Sequence, residues 1–171
     1  MNTIPHIVYI LTKLELGGAQ KICLTLLNAL EQEPNSASLI SGSQGPLVTQ
    51  ASMHKNVYLL NSFKREIGLC SLWNEIRTFT TLITLLRKLK KQNPSILVHT
   101  HSTKAGVLGR WAAYCAGIKN RVHTVHGYGF HAYQNKIAWF IIYCTEWITQ
   151  HITSHFIFVS HKDLQTGNSL L

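Results

Sequence analysis

Six short apolar runs recur along the chain, and amphipathic stretches separate them. His6 to Thr12 is β-branched and mostly apolar, as a strand buried on both faces must be. Ala37 to Ile40 and Val57 to Leu60 are shorter runs; Ile96 to Thr100, Val122 to Val125 and Phe156 to Val159 complete the set. After the first run, Ile22, Cys23, Leu26, Leu27 and Leu30 fall on one face of a helix. Leu72, Ile76, Phe79, Ile83 and Leu86 mark a longer helix that ends in Arg87-Lys88-Leu89-Lys90-Lys91 and is stopped by Asn93-Pro94. A third helix has Leu108, Trp111, Ala112 and Cys115 as its inner face, Ser102 or Thr103 as its cap and Gly117 at its end. Lys136 to Ile152 is a fourth, and Ser160 with Asp163 reads as a capping box that opens a last one. Strands alternating with crossover helices predict an α/β fold, a Rossmann-like parallel sheet with helices on both faces. Such sheets bind ligands at the carboxyl ends of their strands. The loops after Thr12, Thr100, Val125 and Val159 are therefore the informative ones.

Length and composition fit one domain over residues 1–171, with 46% hydrophobic residues to fill a core and no linker, repeat or low-complexity tract. The net charge of +9 arises from a shortage of acid, seven carboxylates against sixteen Lys and Arg. A basic excess suits nucleic acid, phosphorylated substrates or an anionic membrane. No zinc-finger spacing, aromatic RNA-binding signature or basic heptad helix is present, so phosphate or membrane is expected and nucleic acid is not. Cys23, Cys70, Cys115 and Cys144 stand singly in apolar helical patterns, as small core residues of a reducing compartment do. Met1 to Thr12 lacks the basic lead and small-residue cleavage site of a signal peptide. The stretch Ile137 to Thr149 is broken by Glu146 and falls short of the ~20 residues a spanning helix needs. The expectation is a cytoplasmic protein, with peripheral contact at the inner face of the cell membrane.

Three loops carry the unusual residues. Leu14-Glu15-Leu16-Gly17-Gly18-Ala19-Gln20 sets two glycines at a helix N-terminus, where backbone amides and the helix dipole favour a phosphate; a plain tight turn is the alternative. The pattern is not Gly-x-Gly-x-x-Gly, and no acid closes a second strand to hold a ribose, which argues against a nicotinamide cofactor. His99-Thr100-His101-Ser102-Thr103-Lys104-Ala105-Gly106 places two histidines on one strand face without a third metal ligand nearby. Lys104 and Arg110 lie on or near the following helix N-terminus, where a cation opposes the dipole; an anionic ligand and a solvated surface charge both account for that. In Thr124-Val125-His126-Gly127-Tyr128-Gly129, a histidine ends a strand and glycines turn the backbone over a cleft. His126 there is either a donor to a substrate hydroxyl or phosphate, or a turn histidine. No Ser-His-Asp or Cys-His-Asn arrangement and no Walker loop is legible, and only Glu15 among the carboxylates lies in a loop at the ligand-binding edge. The chain reads as half an active site.

In order and spacing, HIVYILTKLELGGAQ, ILVHTHSTKAGVLGRWAAYCAGI, RVHTVHGYGF and SHFIFVSHKDL resemble the N-terminal domain of retaining GT-B glycosyltransferases of family 4. The resemblance runs from His6 to about Gly167, and Lys64-Arg65-Glu66-Ile67 is similar to the family's entry to its long helix. It implies the acceptor-side domain of a two-domain transferase that moves a sugar from a nucleotide sugar to a cell-surface glycan or lipid-linked acceptor. Carried over, His126 faces the transferring sugar as the catalytic position. Gly17, Gly18, Lys104, Arg110 and Gly127 bind substrate or the donor phosphates, and no metal or other cofactor is expected. The helix ending in Arg87, Lys88, Lys90 and Lys91 resembles the membrane-docking helix of several members.

The family's basic pair and Glu-x7-Glu motif, which grip the nucleotide sugar, belong to a C-terminal domain not found within these residues. A partner chain or a longer gene would have to supply it. Two further readings are a non-catalytic subunit anchoring a separate donor-binding chain to the membrane, and a Rossmann oxidoreductase.

Overall fold

A computed structural model describes residues 5–30, 36–64, 72–128 and 135–170. The elements run β1 (His6–Leu11), α1 (Gly18–Leu30), β2 (Ala37–Gly42), α2 (Val48–Ala51), β3 (Val57–Leu60), α3 (Leu72–Gln92), β4 (Ile96–His101), α4 (Thr103–Cys115), β5 (Asn120–Val125), α5 (Lys136–Gln150), β6 (His155–Phe158) and α6 (His161–Leu170). All six strands pair in parallel in the order β3-β2-β1-β4-β5-β6. That is the doubly wound order expected of right-handed crossovers, and it reverses between β1 and β4. The expected α/β class and all six strands are present. The short helix α2 carries no periodicity the sequence could announce.

Alternation along β1 divides the core. Val8 and Ile10 point into a cluster with Leu82, Leu86 and Leu89 of α3 and Ala105 and Ala112 of α4. Tyr9 and Leu11 point the other way, to Cys23, Leu24 and Leu27 of α1. A sheet covered on both faces needs apolar residues at consecutive positions, which is why β1 reads as an unbroken run.

The helix faces differ from expectation in detail. In α1, Ile22 and Leu26 are exposed while Leu24 is buried. In α3 the buried stripe is Thr78, Leu82, Leu86 and Leu89, with Leu72 and Ile76 in solvent. Thr78 is accommodated inside because its hydroxyl donates to Ser62 Oγ at 2.8 Å. In α4 the inward face is Ala105, Gly106, Gly109, Ala112 and Ala113, so Trp111 is only half-buried and Cys115 is exposed. The reason is close approach. A Cβ on Gly106 would lie 2.6 Å from His123 Cε1, and one on Gly109 would lie 2.8 Å from Thr100 Cγ2. Small residues let α4 press onto β4 and β5, and Tyr114 and Cys115 are turned outward. Cys23 is the buried thiol, Cys144 is half-buried, and Cys70 lies outside the described residues. The serine half of the expected capping box forms: Ser160 Oγ accepts from the Asp163 amide at 3.1 Å, and the hydroxyl, in place of the Ser160 amide, donates to Asp163 Oδ2 at 2.6 Å.

Among the described residues, no helix is long and apolar enough to cross a membrane. The residues Arg65, Glu66 and Ile67 lie outside the described segments.

Candidate active site

The carboxyl ends of β1, β4 and β5 open onto one cleft of about 670 Å³. It sits at the reversal point between β1 and β4, where crossovers leave in opposite directions and cannot fill the space. The β1–α1 loop contributes Thr12, Lys13 and Glu15, with Ala19 and Gln20 from the start of α1. Ser102 and Lys104 come from the β4–α4 junction, and His126, Gly127 and Tyr128 from the end of β5. The opposite wall is apolar: Val107 and Leu108 of α4, Ile141 and Ile142 of α5. A polar end therefore faces a hydrocarbon flank within one cavity.

Loop chemistry fixes the polar end. Ser102 follows β4 with φ +65°, in the left-handed region that non-glycine residues rarely occupy. Its hydroxyl is 2.8 Å from Thr12 Oγ1, which ties the two loops across the switch point. Ser102 holds the N-cap position of α4, but its hydroxyl is used on Thr12 and not as the expected cap. Strain of this kind persists where a site demands it. Gly127 has φ +103° and open space where a Cβ would sit, so the chain turns sharply after His126.

His99, His101 and His126 form a connected group, and His123 lies apart beneath α4. His99 and His101 do share a face, with ring centroids 4.3 Å apart and the Tyr9 ring alongside. His99 Nε2 lies 2.7 Å from Thr124 Oγ1, and His101 Nδ1 lies 3.0 Å from His126 Nε2. His123 Nδ1 is 2.9 Å from Thr100 Oγ1 beneath α4. Burial holds all of them neutral: His99 is lowered to about 4 and His101 to about 3, each also disfavoured as a cation by neighbouring imidazoles. His123 falls well below the usual histidine range, and half-buried His126 is lowered by desolvation against the opposing field of Asp163. Among the described residues, no group of three or more His, Cys, Asp and Glu side chains is arranged to hold a metal ion.

This burial has a pH signature. Above the unperturbed histidine value of 6.5, the rings are neutral in both states and contribute nothing to pH dependence. Below it the unfolded chain takes up protons that the folded one refuses, so stability falls as pH falls, down to about 4 for His99. Urea unfolding should show a lower midpoint at about pH 5.5 than at about pH 7.5, an interval in which ordinary carboxylates stay ionised. A flat profile over that interval would contradict neutral burial.

Of the residues singled out in the sequence, His126, Gly127 and Lys104 line the cleft. Gly17 and Gly18 stand at its rim beside Ala19, with Gly18 exposed as the first residue of α1. Lys104 is not solvated: Nζ donates to Glu75 Oε1 at 2.5 Å and to the Lys64 carbonyl at 2.6 Å. Its charge thus enters the cleft already paired with Glu75 of α3.

Arg110 is a correction. It is fully buried and is not among the residues that line the cleft. Its guanidinium donates to Glu146 Oε2 at 2.6 Å, Thr153 Oγ1 at 3.0 Å and the Gly106 carbonyl at 2.8 Å, and it lies over the Phe156 ring. The anion it was expected to meet is Glu146, an internal one. The sequence did carry the signal, an acid interrupting an apolar helix, since a charge on such a face needs a partner.

The basic quartet is also redistributed. The last turns of α3 lead into the start of β4, so Arg87, Lys88, Lys90 and Lys91 lie at the amino edge of the sheet, opposite the cleft. Arg87 Nη2 donates to the Cys115 carbonyl at 3.1 Å, and Lys90 Nζ donates to the Ala116 and Gly117 carbonyls at 3.3 and 2.7 Å. These two cap the carboxyl end of α4, a favourable place for cations; Lys88 and Lys91 are exposed. Exposed large apolar side chains lie instead on the two helices that supply Glu75, Ile141 and Ile142 to the cleft. Trp73 at the start of α3 is 74% exposed, and Ile137 and Phe140 at the start of α5 are 71% and 61% exposed.

Comparison with known proteins adds three findings. The model of the family described as Glycosyltransferase Family 4 matches residues 16–166. The UDP-Gal:alpha-D-GlcNAc-diphosphoundecaprenol alpha-1,3-galactosyltransferase of Escherichia coli is 34% identical over 145 residues, which are 82% of this chain and 36% of that enzyme. The crystal structure of Acinetobacter baumannii MurG superposes with a TM-score of 0.60 at 12% identity, over 90% of this chain and 41% of MurG. At that identity MurG speaks for the fold alone. The chain spans well under half the length of both proteins.

Proposed function

This chain belongs to glycosyltransferase family 4, and from that premise we propose that it forms the acceptor-side half of an enzyme that transfers a sugar from a nucleotide sugar to a lipid-linked acceptor. The observation that carries the reading is the cleft itself. One cavity joins a polar end, bearing Lys13, Lys104 and His126, to the apolar flank of Val107, Leu108, Ile141 and Ile142. A sugar diphosphate on a hydrocarbon chain has that polarity. The similar Escherichia coli enzyme is named for a diphosphoundecaprenol-linked acceptor, which supports the same class of substrate.

In this reading the first amides of α1, at Gly18 and Ala19, meet phosphate oxygens, since the first turn of a helix leaves its N–H groups unpaired. His126, held neutral, donates to the sugar or the departing diphosphate as charge develops there. The donor nucleotide is gripped by a second domain, on the same chain or a partner. The exposed aromatic and aliphatic residues at the starts of α3 and α5 rest on the membrane from which the acceptor is drawn. The basic residues at the far end of α3 lie at the opposite edge of the sheet and offer anionic lipid a separate, alternative surface.

Two substitutions test the roles within a reconstituted transferase, this chain joined to a family donor-binding domain. His126→Ala should lower kcat on the order of tenfold or more, with radiolabelled sugar transfer to a polyprenyl-diphosphate acceptor as the readout. Gly18→Val is the more discriminating change, because nothing lies within 4 Å of the new Cβ. The variant should fold as the parent does and still lose transfer, through crowding at the phosphate. Near-parental turnover by both variants would leave these loops as structural turns.

A further inference from the structure

His126 is the ligand-facing histidine of the proposed reading, and its Nε2 is already engaged inside the protein, 3.0 Å from His101 Nδ1. A neutral imidazole carries one N–H, so this bond has two possible senses, and they leave opposite groups facing the cleft. If His126 Nε2–H donates, His101 carries its proton on Nε2 and His126 offers a bare Nδ1. If His101 Nδ1–H donates, His101 Nε2 is a lone pair and His126 offers Nδ1–H.

The environment of His101 decides between them. The residue is 1% exposed, and its Nε2 has no hydrogen-bond partner. A buried N–H without an acceptor is the rarer and costlier defect; a buried lone pair without a donor is better tolerated.

We infer that His101 is a positioning residue, whose Nδ1–H bond to His126 Nε2 fixes His126 as the Nδ1–H tautomer and presents a donor to the cleft. His126 is thereby excluded as a general base at that face and equipped to stabilise an oxygen gaining negative charge. That consequence rests on the transferase reading; the tautomer does not.

The test is the imidazole nitrogen spectrum of the 171-residue chain, labelled with 15N-histidine, at neutral pH. Wild type should show His126 with a protonated Nδ1 and an unprotonated Nε2. His101→Ala should release it toward the Nε2–H form preferred in water. His101→Asn, whose amide can donate in place of Nδ1–H, should restore the wild-type pattern. A wild-type His126 protonated at Nε2, or a pattern unchanged in His101→Ala, overturns the assignment. Turnover separates this from the functional reading. With the tautomer as stated, His101→Ala in the reconstituted enzyme should lower kcat about tenfold at nearly constant KM, and His101→Asn should recover most of it. If the spectra agree and neither His101→Ala nor His126→Ala affects transfer, the role of His126 fails while the tautomer assignment stands.

Discussion

Glu146→Ala is expected to destabilise the domain by about 3–5 kcal/mol, the usual consequence of leaving a buried charge without its partner. For a chain of this size that corresponds to a fall in Tm of roughly 6–20 °C. Glu146 is 5% exposed and Arg110 is wholly buried, so the guanidinium would lose its carboxylate at a place that solvent reaches only by way of the cleft. Burial already disfavours the charged guanidinium, and Glu146 is the principal group opposing that tendency. The two residues bind α5 to α4, and Arg110 reaches on to Thr153 beyond the end of α5, so loosening them opens the apolar wall of the cleft. The double variant Arg110→Met with Glu146→Leu should recover most of the stability, because removing both charges also removes the desolvation cost. Urea unfolding of the three proteins checks this. A loss below about 1 kcal/mol for Glu146→Ala would mean that the pair is not withdrawn from solvent as described.

Serine at Trp73, Ile137 and Phe140 is expected to weaken adsorption to lipid vesicles about a hundredfold. Each side chain offers on the order of 1 kcal/mol or more when partly withdrawn from water, and the three belong to the helix starts of α3 and α5, which also supply residues to the cleft. The second surface has a different signature. Lys88→Gln with Lys91→Gln removes two exposed cations that are free of the α4 cap, worth about 1 kcal/mol each near an anionic surface, or about thirtyfold together. Salt distinguishes the two, since the lysine contribution is screened over about 8 Å at physiological ionic strength while apolar contact is not. Co-sedimentation with neutral and anionic vesicles at low and high salt reads both. No adsorption by wild type at low salt, or equal adsorption by all variants, would remove the membrane from the account.

Strand positions were legible because a doubly covered sheet requires continuous β-branched runs, and the carboxyl-edge loops followed from parallel topology. Helix faces were less legible. Apolar periodicity marks α1, but it cannot say which of Ile22, Leu24 and Leu26 turns inward when several adjacent residues are apolar. In α4 the inner face is built from glycine and alanine, which register weakly as hydrophobic, so Trp111 and Cys115 drew attention to the wrong side. At the site, Lys104 and His126 were found from their places after strands. Arg110 was misassigned because its partner Glu146 lies 36 residues away, across a helix pair that no local pattern connects. The His101–His126 bond spans neighbouring strand ends and was likewise invisible to a linear reading, although the alternation of His99 and His101 pointed to the face on which it forms.

Ligand titration of the isolated 171-residue chain bears most directly on the division of labour proposed here. Calorimetry would compare a short-chain polyprenyl-diphosphate N-acetylglucosamine with UDP-galactose and other nucleotide sugars. An acceptor-side half should bind the lipid-linked sugar diphosphate at least tenfold more tightly than any nucleotide sugar, and Gly18→Val should weaken that binding without lowering Tm. Tight binding of a nucleotide sugar, with none of the lipid-linked compound, would contradict the account.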